Sequence, residues 1–546
     1  MKRQTFKVLF SVIFIAFLAF AIGCGGGGGG NPVAPPVTDS VRVNAVSDSD
    51  LDHFASEFET HIHNLMLNSY GPVYDIDNDG KVSILISPVY SKLGFAGLFN
   101  SNDFDSNENS NQRDLIGIFS PDTAKSWYGE RWREASRETI CHEMQHLVNY
   151  SANLYFNNVG AMEDVWLDES LSVGAEARYR LLRGSPILEN RFTLWAESPS
   201  SVGLTNFSRS LSQYGMVGLF NLFLYHQSND VTIKAMVNSN LLGKANVDNL
   251  FATKGGLDGM LQKWAMAAFL DGLNKKGLAD LSKIDSGYKY SSILGLDLQY
   301  QSVNFGQSTT NLSIPAYGAA FYLLNQPVGF NSNSYQFKVD INSVGSDSKK
   351  LEVLMVRLPS VSGWTKRSLR SAVVGGTSVL ATPGTFYSYS HPYSSTTSEF
   401  SLNIPTDSSI ARFALVVTNP TSTSQTVKII PESYDLGQVA ANIKPSSQYV
   451  DDYGQLLLNQ AQLKARLRMM ANKRISNSML MASKTMRASD HSSENVGDIV
   501  NLKVVADWWG ASYVSRRCKL ERITPNCKIF VDQEPYNGLS AVPVEE

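Results

Sequence analysis

The chain has 546 residues, of which 43% are hydrophobic and 18% are charged, and its formal net charge is −3. This apolar content is sufficient for several buried cores, and the charged fraction is too low for a disordered chain. The small net charge gives no electrostatic basis for binding nucleic acid. A chain of this length is expected to form about two to four domains.

Residues 1–24 have the pattern of a secretory signal peptide. A positively charged start precedes the apolar run Val8–Ile22, which is too short for a membrane span and suits a signal-peptide core. The run leads into Ala21-Ile22-Gly23-Cys24, which resembles a bacterial lipobox. Cys24 is therefore predicted to be lipidated, with an ordinary cleaved signal and a free cysteine as the alternative. Residues 25–40, rich in Gly and Pro, are predicted to be a flexible tether.

A candidate calcium loop lies early in the next predicted domain, residues 41–285. Asp75, Asp77 and Asp79 occupy alternate positions before Gly80, as in the first half of a calcium-binding loop. A strand is predicted next, where an EF-hand would continue as a helix. Calcium binding would therefore require another carboxylate from elsewhere in the chain. The alternative is a simple turn rich in Asp, Asn and Gly.

A long helix is predicted over residues 131–149, because neither Pro nor Gly interrupts it. It contains His142, Glu143 and His146 in the pattern H-E-x-x-H. Residues four apart share one face of a helix, so the two imidazoles can bind one zinc ion. Glu143 is then placed to take a proton from a water on that ion. The alternative is an amphipathic helix whose histidines have only local partners.

The third metal ligand is predicted to be a carboxylate, because no other histidine has the sequence context of a ligand. The segment 163–172 follows the first helix, and its apolar residues recur every four positions, which predicts a second helix. Glu169 is the candidate on this helix. Other acidic residues are rivals for the same role, namely Glu163, Asp168 and Glu176.

The sequence resembles the gluzincin metallopeptidases, and in detail the hyicolysin family. The resemblance lies in His142-Glu143-Met144-Gln145-His146, in Asn149, and in Trp166-Leu167-Asp168-Glu169-Ser170. It covers roughly residues 41–285. It implies an α+β zincin domain, Glu169 as the third zinc ligand, and Glu143 as the general base. The spacing to Glu169 differs from that of aminopeptidase N, so exopeptidase activity is not implied.

Two further expectations follow from this resemblance. Gluzincins pair an extended substrate with an edge strand of the sheet, and Leu115–Phe119 is the candidate strand. Such peptidases also use a Tyr or His to donate a hydrogen bond to the oxyanion of the reaction. Tyr214 is the candidate donor and His226 the reserve. For each of them, the alternative is an ordinary packing or surface residue.

The remainder of the chain changes character after the helical region. Residues 286–433 alternate apolar and polar side chains between turns, which predicts a β-sandwich. Residues 434–490 are predicted to form a basic helical linker. Residues 491–546 are predicted to be a small β-rich C-terminal unit, an α/β tail whose short length argues against independent folding. Its Cys518 and Cys527 are close enough in sequence for a disulfide in an oxidising compartment.

The sequence therefore predicts a multidomain zinc endopeptidase, bound to the bacterial envelope by a lipid at Cys24 on the periplasmic side or the cell surface. Its expected partners are protein or peptide substrates and the membrane. Its expected cofactors are Zn²⁺ and, at the aspartate loop, Ca²⁺. The alternative is a non-catalytic surface-binding lipoprotein, an adhesin that uses the same domains. Intact Glu143 argues against that alternative.

Overall fold

The computed structural model describes residues 46–157, 159–187, 189–325, 334–343, 351–358, 370–371, 379–380, 386–390, 397–405, 412–435, 491–506 and 512–534. The predicted signal peptide, Cys24, the tether and residues 436–490 of the predicted linker lie outside these ranges. Within these ranges, no helix combines the length and the apolar composition needed to cross a membrane.

Helices dominate the chain up to residue 275, and several begin at polar side chains that accept a backbone N–H, such as Ser47 and Ser210. A π-helical turn, Phe58–Ile62, joins the first two helices. The helices are α1 (Asp48–Glu57), α2 (His63–Ser69), α3 (Pro88–Lys92), α4 (Pro121–Tyr128), α5 (Trp132–Ser151), α6 (Val165–Arg183), α7 (Asn190–Glu197), α8 (Leu211–His226), α9 (Asp230–Val237), α10 (Gly243–Leu250) and α11 (Gly256–Lys275).

Strands occur in three groups along the chain and form three sheets. In chain order they are β1 (Val82–Ile86), β2 (Gly97–Phe99), β3 (Leu115–Ile118), β4 (Gln301–Asn304), β5 (Leu312–Ile314), β6 (Ala319–Asn325), β7 (Ser334–Ser343), β8 (Glu352–Leu358), β9 (Arg370–Ser371), β10 (Val379–Leu380), β11 (Phe386–Ser390), β12 (Thr397–Pro405), β13 (Arg412–Thr418), β14 (Gln425–Asp435), β15 (Ile499–Val505), β16 (Tyr513–Ile523) and β17 (Cys527–Asp532).

The first sheet has the strand order β15-β16-β17-β1-β3-β2. Strand β1 pairs in parallel with β17 on one side, where Val82 faces Cys527, and with β3 on the other. Every residue of β1 is buried, so the strand needs a neighbour on both sides. The described strands of the predicted C-terminal unit, 491–546, therefore extend the sheet of the first domain and do not form a sheet of their own.

The edges of this sheet differ from the sequence-based expectation. Leu115–Phe119 is predicted to be an edge strand, but β3 lies inside the sheet between β1 and β2. The edge strand is β2, which pairs antiparallel with β3 and lies against α5. The pattern of apolar residues in β3 is compatible with either position, and only its pairing decides between them.

The two cysteines of the C-terminal strands do not form the predicted disulfide, and both are free and buried. Cys518 packs in the cluster that contains Leu520 and Phe530, whereas Cys527 packs in the cluster that contains Ile529. These clusters lie on opposite faces of the sheet. Because side chains alternate between the two faces of a strand, the thiols point away from each other, and the disulfide prediction is wrong.

Residues 301–435 contribute two further sheets, ordered β4-β6-β13-β8-β11-β9 and β10-β12-β7-β14-β5. Side chains from both sheets form one buried cluster, to which Met355 and Leu415 belong on one side and Ile429 on the other. Alternate residues of β8 and β13, such as Val356 and Val416, belong instead to the core of the first domain. This sheet therefore contacts α11 with its second face.

Candidate metal centre

Helix α5 presents two imidazoles on one face. His142 and His146 are one helical turn apart, and their Nε2 atoms lie 3.1 Å from each other. The side chains are 12% and 13% exposed, so only a small part of each ring is in contact with solvent. The two rings therefore point toward one position beside the helix.

Helix α6 packs against α5 and brings Glu169 to the same point. Its Oε2 lies 3.4 Å from Nε2 of His142 and 3.5 Å from Nε2 of His146. This oxygen is buried, and no group in the described ranges donates a hydrogen bond to it. Ligands at about 2.0–2.2 Å from a tetrahedral metal ion lie about 3.3–3.6 Å apart. The two distances from Glu169 fall in this range, and the 3.1 Å between the two Nε2 atoms is slightly below it. The donor set is therefore compatible with a four-coordinate metal ion that keeps one position for water.

The opposite nitrogen of each imidazole is held by a carboxylate of α6. Nδ1 of His142 donates to Glu176 at 2.6 Å, and Nδ1 of His146 donates to Asp168 at 2.9 Å. Such partners fix the tautomer and the orientation of a ligating imidazole. Burial lowers the pKa of His142, but the neighbouring carboxylates of Glu169 and Glu176 outweigh burial and raise the pKa to about 9.

The acidic residues that were alternatives to Glu169 as the third ligand lie in other positions. Asp168 and Glu176 support the imidazoles from behind, and Asp168 also accepts a hydrogen bond from the Asn149 side chain at 2.6 Å. Glu163 lies away from the rings, where its Oε1 accepts from the backbone N–H of Gly243 at 2.6 Å. Only Glu169 faces both Nε2 atoms.

Glu176 is itself held by a partly buried cation that was not predicted from the sequence. Arg191, at the start of α7, pairs with Glu176, and its Nε donates to Glu189 at 2.7 Å. Arg180 joins this network through Glu138 and Glu189. Glu176 follows Glu169 by two helical turns, so the sequence already indicated that both side chains lie on the same face of α6. Nothing near Arg191 in the sequence indicated its role.

Glu143 lies beside the two imidazoles and is held by the edge strand. The backbone N–H of Phe99 donates to its Oε2 at 2.8 Å. A Cβ on Gly97 would lie 2.6 Å from Oε1 of Glu143 and 2.5 Å from Cγ2 of Thr139. The glycine therefore permits the close approach of β2 to α5. Burial raises the pKa of Glu143, and the neighbouring His142 and His146 partly offset this effect.

The two candidate oxyanion donors lie at opposite ends of α8. The hydroxyl of Tyr214 is 3.3 Å from Oε1 of Glu169, so this side chain borders the metal centre. His226 is the last residue of the helix, about 18 Å further along its axis at 1.5 Å per residue. Its Nδ1 accepts from the backbone N–H of Ser291. The reserve assignment of His226 is therefore wrong.

The three aspartates of the predicted calcium loop separate into two environments. Asp75 and Asp77 lie together with Asp114, which the sequence reasoning did not consider. Asp79 instead pairs with Lys528 at 2.7 Å. The prediction that Asp79 is a ligand is thus not supported by its position, and Asp114 is the carboxylate that lies beside Asp75 and Asp77 in its place.

Comparison with known proteins gives one distant relationship. No family model matches the sequence. The chain is 26% identical over 203 residues to the neutral metalloprotease ShpI of Staphylococcus hyicus, and the match covers 35% of this chain and 45% of that protein. The chain thus spans less than half the length of this relative. That relative is a metalloprotease by name, and in the present chain His142, His146 and Glu169 form a group that could hold a metal ion.

Proposed function

We propose that this protein is a zinc-dependent endopeptidase. The observation that carries the proposal is the spacing of the three donors, Nε2 of His142, Nε2 of His146 and Oε2 of Glu169, which are 3.1–3.5 Å apart. Two imidazoles and one carboxylate form the donor set of a catalytic zinc site. Glu143 adjoins the first ligand, as this chemistry requires. The distant similarity to a metalloprotease agrees with it.

The roles of the side chains follow from their positions. Zinc held at this site would lower the pKa of a water molecule to about 7 and polarise the scissile carbonyl. Glu143 accepts the proton of the attacking water and returns it to the leaving amine. Phe99 holds one oxygen of this carboxylate, and the other oxygen is proposed to accept the proton. The Tyr214 hydroxyl supplies a hydrogen bond to the developing oxyanion.

The substrate is proposed to bind along the edge strand β2. A strand at the edge of a sheet offers backbone N–H and C=O groups to an extended peptide. Phe99 of this strand contacts the general base directly, so a paired peptide would run past the reacting centre. This arrangement favours cleavage within a chain. The lipid anchor at Cys24 and the envelope location remain predictions from the signal sequence.

Metal removal is the direct test of this function. We expect the full chain to bind one zinc ion and to hydrolyse casein. Chelation with 1,10-phenanthroline should reduce the rate by more than about 100-fold, because both water activation and carbonyl polarisation are lost. Zinc at one equivalent should restore the rate, and calcium alone should not. Casein hydrolysis that survives complete zinc removal would contradict the proposal and leave a binding role for the fold.

Gly97→Ala tests the contact between the edge strand and the general base. The added methyl group would meet Glu143 and Thr139 at less than 2.7 Å, so the carboxylate or the strand must move. A displacement of about 1 Å at a reacting group costs about 100-fold in rate. We expect kcat for a peptide substrate to fall by about that factor, with the zinc content unchanged.

Leu98→Ala is the matched control on the same strand. Leu98 packs against the cluster on the opposite face of the sheet, so its truncation alters β2 without approaching Glu143. We expect a lower melting temperature and a kcat close to that of the unaltered protein. If both variants lose activity equally, the effect comes from the strand as a whole and not from the position of Glu143.

A further inference from the structure

Three carboxylates converge at one end of the first sheet, apart from the metal centre. Asp75 and Asp77 belong to the loop before β1, and Asp114 directly precedes β3. Because β1 and β3 are parallel neighbours, their starting ends lie at the same edge of the sheet. One oxygen from each carboxylate lies within 4.8 Å of the others.

Two carboxylates of this cluster are buried and have oxygens that accept no hydrogen bond from the described part of the chain. Asp77 is 0% exposed, and neither of its oxygens has a donor among these residues. Asp114 is 2% exposed, and its Oδ1 also has no donor. A buried carboxylate without partners is unfavourable unless a cation compensates it. Burial raises the pKa of Asp77 to about 7, and the charges of Asp79 and Asp75 contribute.

Asp75 differs from the other two because it shapes the loop. Its Oδ1 accepts the backbone N–H of Asp79 at 3.2 Å, and its Oδ2 accepts that of Gly80 at 3.0 Å. These bonds close the loop around its own carboxylate. Gly80 has a positive φ of 73°, which a glycine adopts without strain. The loop is therefore held in the conformation that brings Asp75 to Asp77.

The nearby cations have other carboxylates as partners. Arg113 donates two hydrogen bonds to Glu494, and its Nη1 is 4.0 Å from Asp77. Lys528 binds Asp79 at 2.7 Å and Glu494 at 3.0 Å. These two cations are shared among Asp79, Glu494 and the cluster. The negative charge of the three clustered carboxylates is therefore not balanced by the side chains around it.

We propose that Asp75, Asp77 and Asp114 form a calcium site. Calcium binds oxygen ligands at about 2.3–2.6 Å, so two of its ligands are at most about 5 Å apart, and the observed separations satisfy this limit. The donors are all carboxylate oxygens, which disfavours zinc and other metals that prefer nitrogen or sulfur. Magnesium seldom uses more than two carboxylates. A cavity of about 150 Å³ borders Asp75 and Asp114 and has room for water ligands.

This site joins the N-terminal and C-terminal parts of the first sheet. Next to it, the backbone N–H of Val82 donates to the carbonyl of Asn526 at 2.9 Å, where β17 begins to pair with β1. Lys528 of β17 contacts Asp79 of the loop. A calcium ion that orders the loop therefore supports the addition of β17 to the sheet. Calcium should stabilise the folded chain without acting in peptide hydrolysis.

The test measures thermal unfolding of the full chain, with zinc present, as calcium chloride is titrated. A ligand at a hundredfold excess over its Kd is expected to raise the melting temperature by on the order of 5 °C. Titration calorimetry should give one calcium per chain, and magnesium chloride should give a smaller shift. The same titrations in a Glu143→Gln background exclude self-cleavage, so their result does not depend on the proposed peptidase activity.

Two variants on the same loop distinguish loss of calcium binding from a general change in the stability of the loop. Asp77→Asn should melt at or above the temperature of the unaltered protein without calcium, because a buried uncompensated charge is removed, and should show no shift with calcium. Asp79→Asn should melt lower, because Lys528 loses a partner, and should keep the calcium shift. Asp114→Asn repeats the first test from the other strand. No shift in the unaltered chain, or a shift that survives in Asp77→Asn, would overturn the proposal.

Discussion

Glu143→Gln should abolish proteolysis while leaving the metal centre assembled. Loss of a general base costs about 10²–10⁴-fold in rate, so we expect kcat/KM for a peptide substrate to fall by at least the lower figure. The amide oxygen of glutamine can still accept the hydrogen bond that Phe99 donates to Glu143. The geometry of β2 is therefore kept, and the change isolates proton transfer.

The stability of this variant provides a second readout. Burial raises the pKa of Glu143, which means that the fold disfavours its charged form. A neutral glutamine should therefore leave the melting temperature unchanged or raise it slightly. Glu134→Gln, on the same helix at a carboxylate that pairs with Arg131 at 2.9 Å, is the control that should keep full activity. Substantial proteolysis by Glu143→Gln, with zinc bound, would remove this residue from the mechanism.

Glu169→Gln should release the metal ion. The substitution replaces the charged oxygen that faces both imidazoles at 3.4 and 3.5 Å with a neutral amide. Loss of a partner behind a metal ligand costs about 10–100-fold in affinity, and loss of a ligand should exceed this. Zinc affinity, measured by competition with a chromogenic chelator, is expected to fall by more than about 100-fold. Proteolysis at limiting zinc should fall with it.

Glu163→Gln is the matched control for this experiment. It makes the same chemical change six positions earlier, at a carboxylate that accepts the backbone N–H of Gly243. Glutamine can still accept that hydrogen bond, so zinc affinity and activity should remain close to those of the unaltered protein. The opposite pattern, with zinc lost in Glu163→Gln and retained in Glu169→Gln, would reassign the third ligand.

The proposed ligands differ in how far the sequence alone identifies them. His142 and His146 were assigned from their spacing, because a helix places residues four apart on one face whatever surrounds it. The segment of the third ligand was also identifiable. The choice among Asp168, Glu169 and Glu176 depended on how α6 crosses α5. The structure places two of these carboxylates behind the imidazoles and only Glu169 in front of them.

Long-range pairing explains the expectations that failed. The free thiols of Cys518 and Cys527 lie on opposite faces of the sheet, which their spacing along the chain did not reveal. The buried strand β3 and the edge strand β2 have similar local patterns, and their order depends on β1. Asp114 joins the aspartate loop only because β1 and β3 are parallel neighbours.

The sequence by itself determined the helix with its H-E-x-x-H pattern, the acidic helix after it and the aspartate loop, because each depends on side chains within a few helical turns or one loop. Only the tertiary structure decided which carboxylate faces the imidazoles and which strand lies at the edge. It also decided that β17 completes a sheet that begins at β1, more than 400 residues earlier. These outcomes depend on burial and charge between distant segments, for which the chain carries no local pattern.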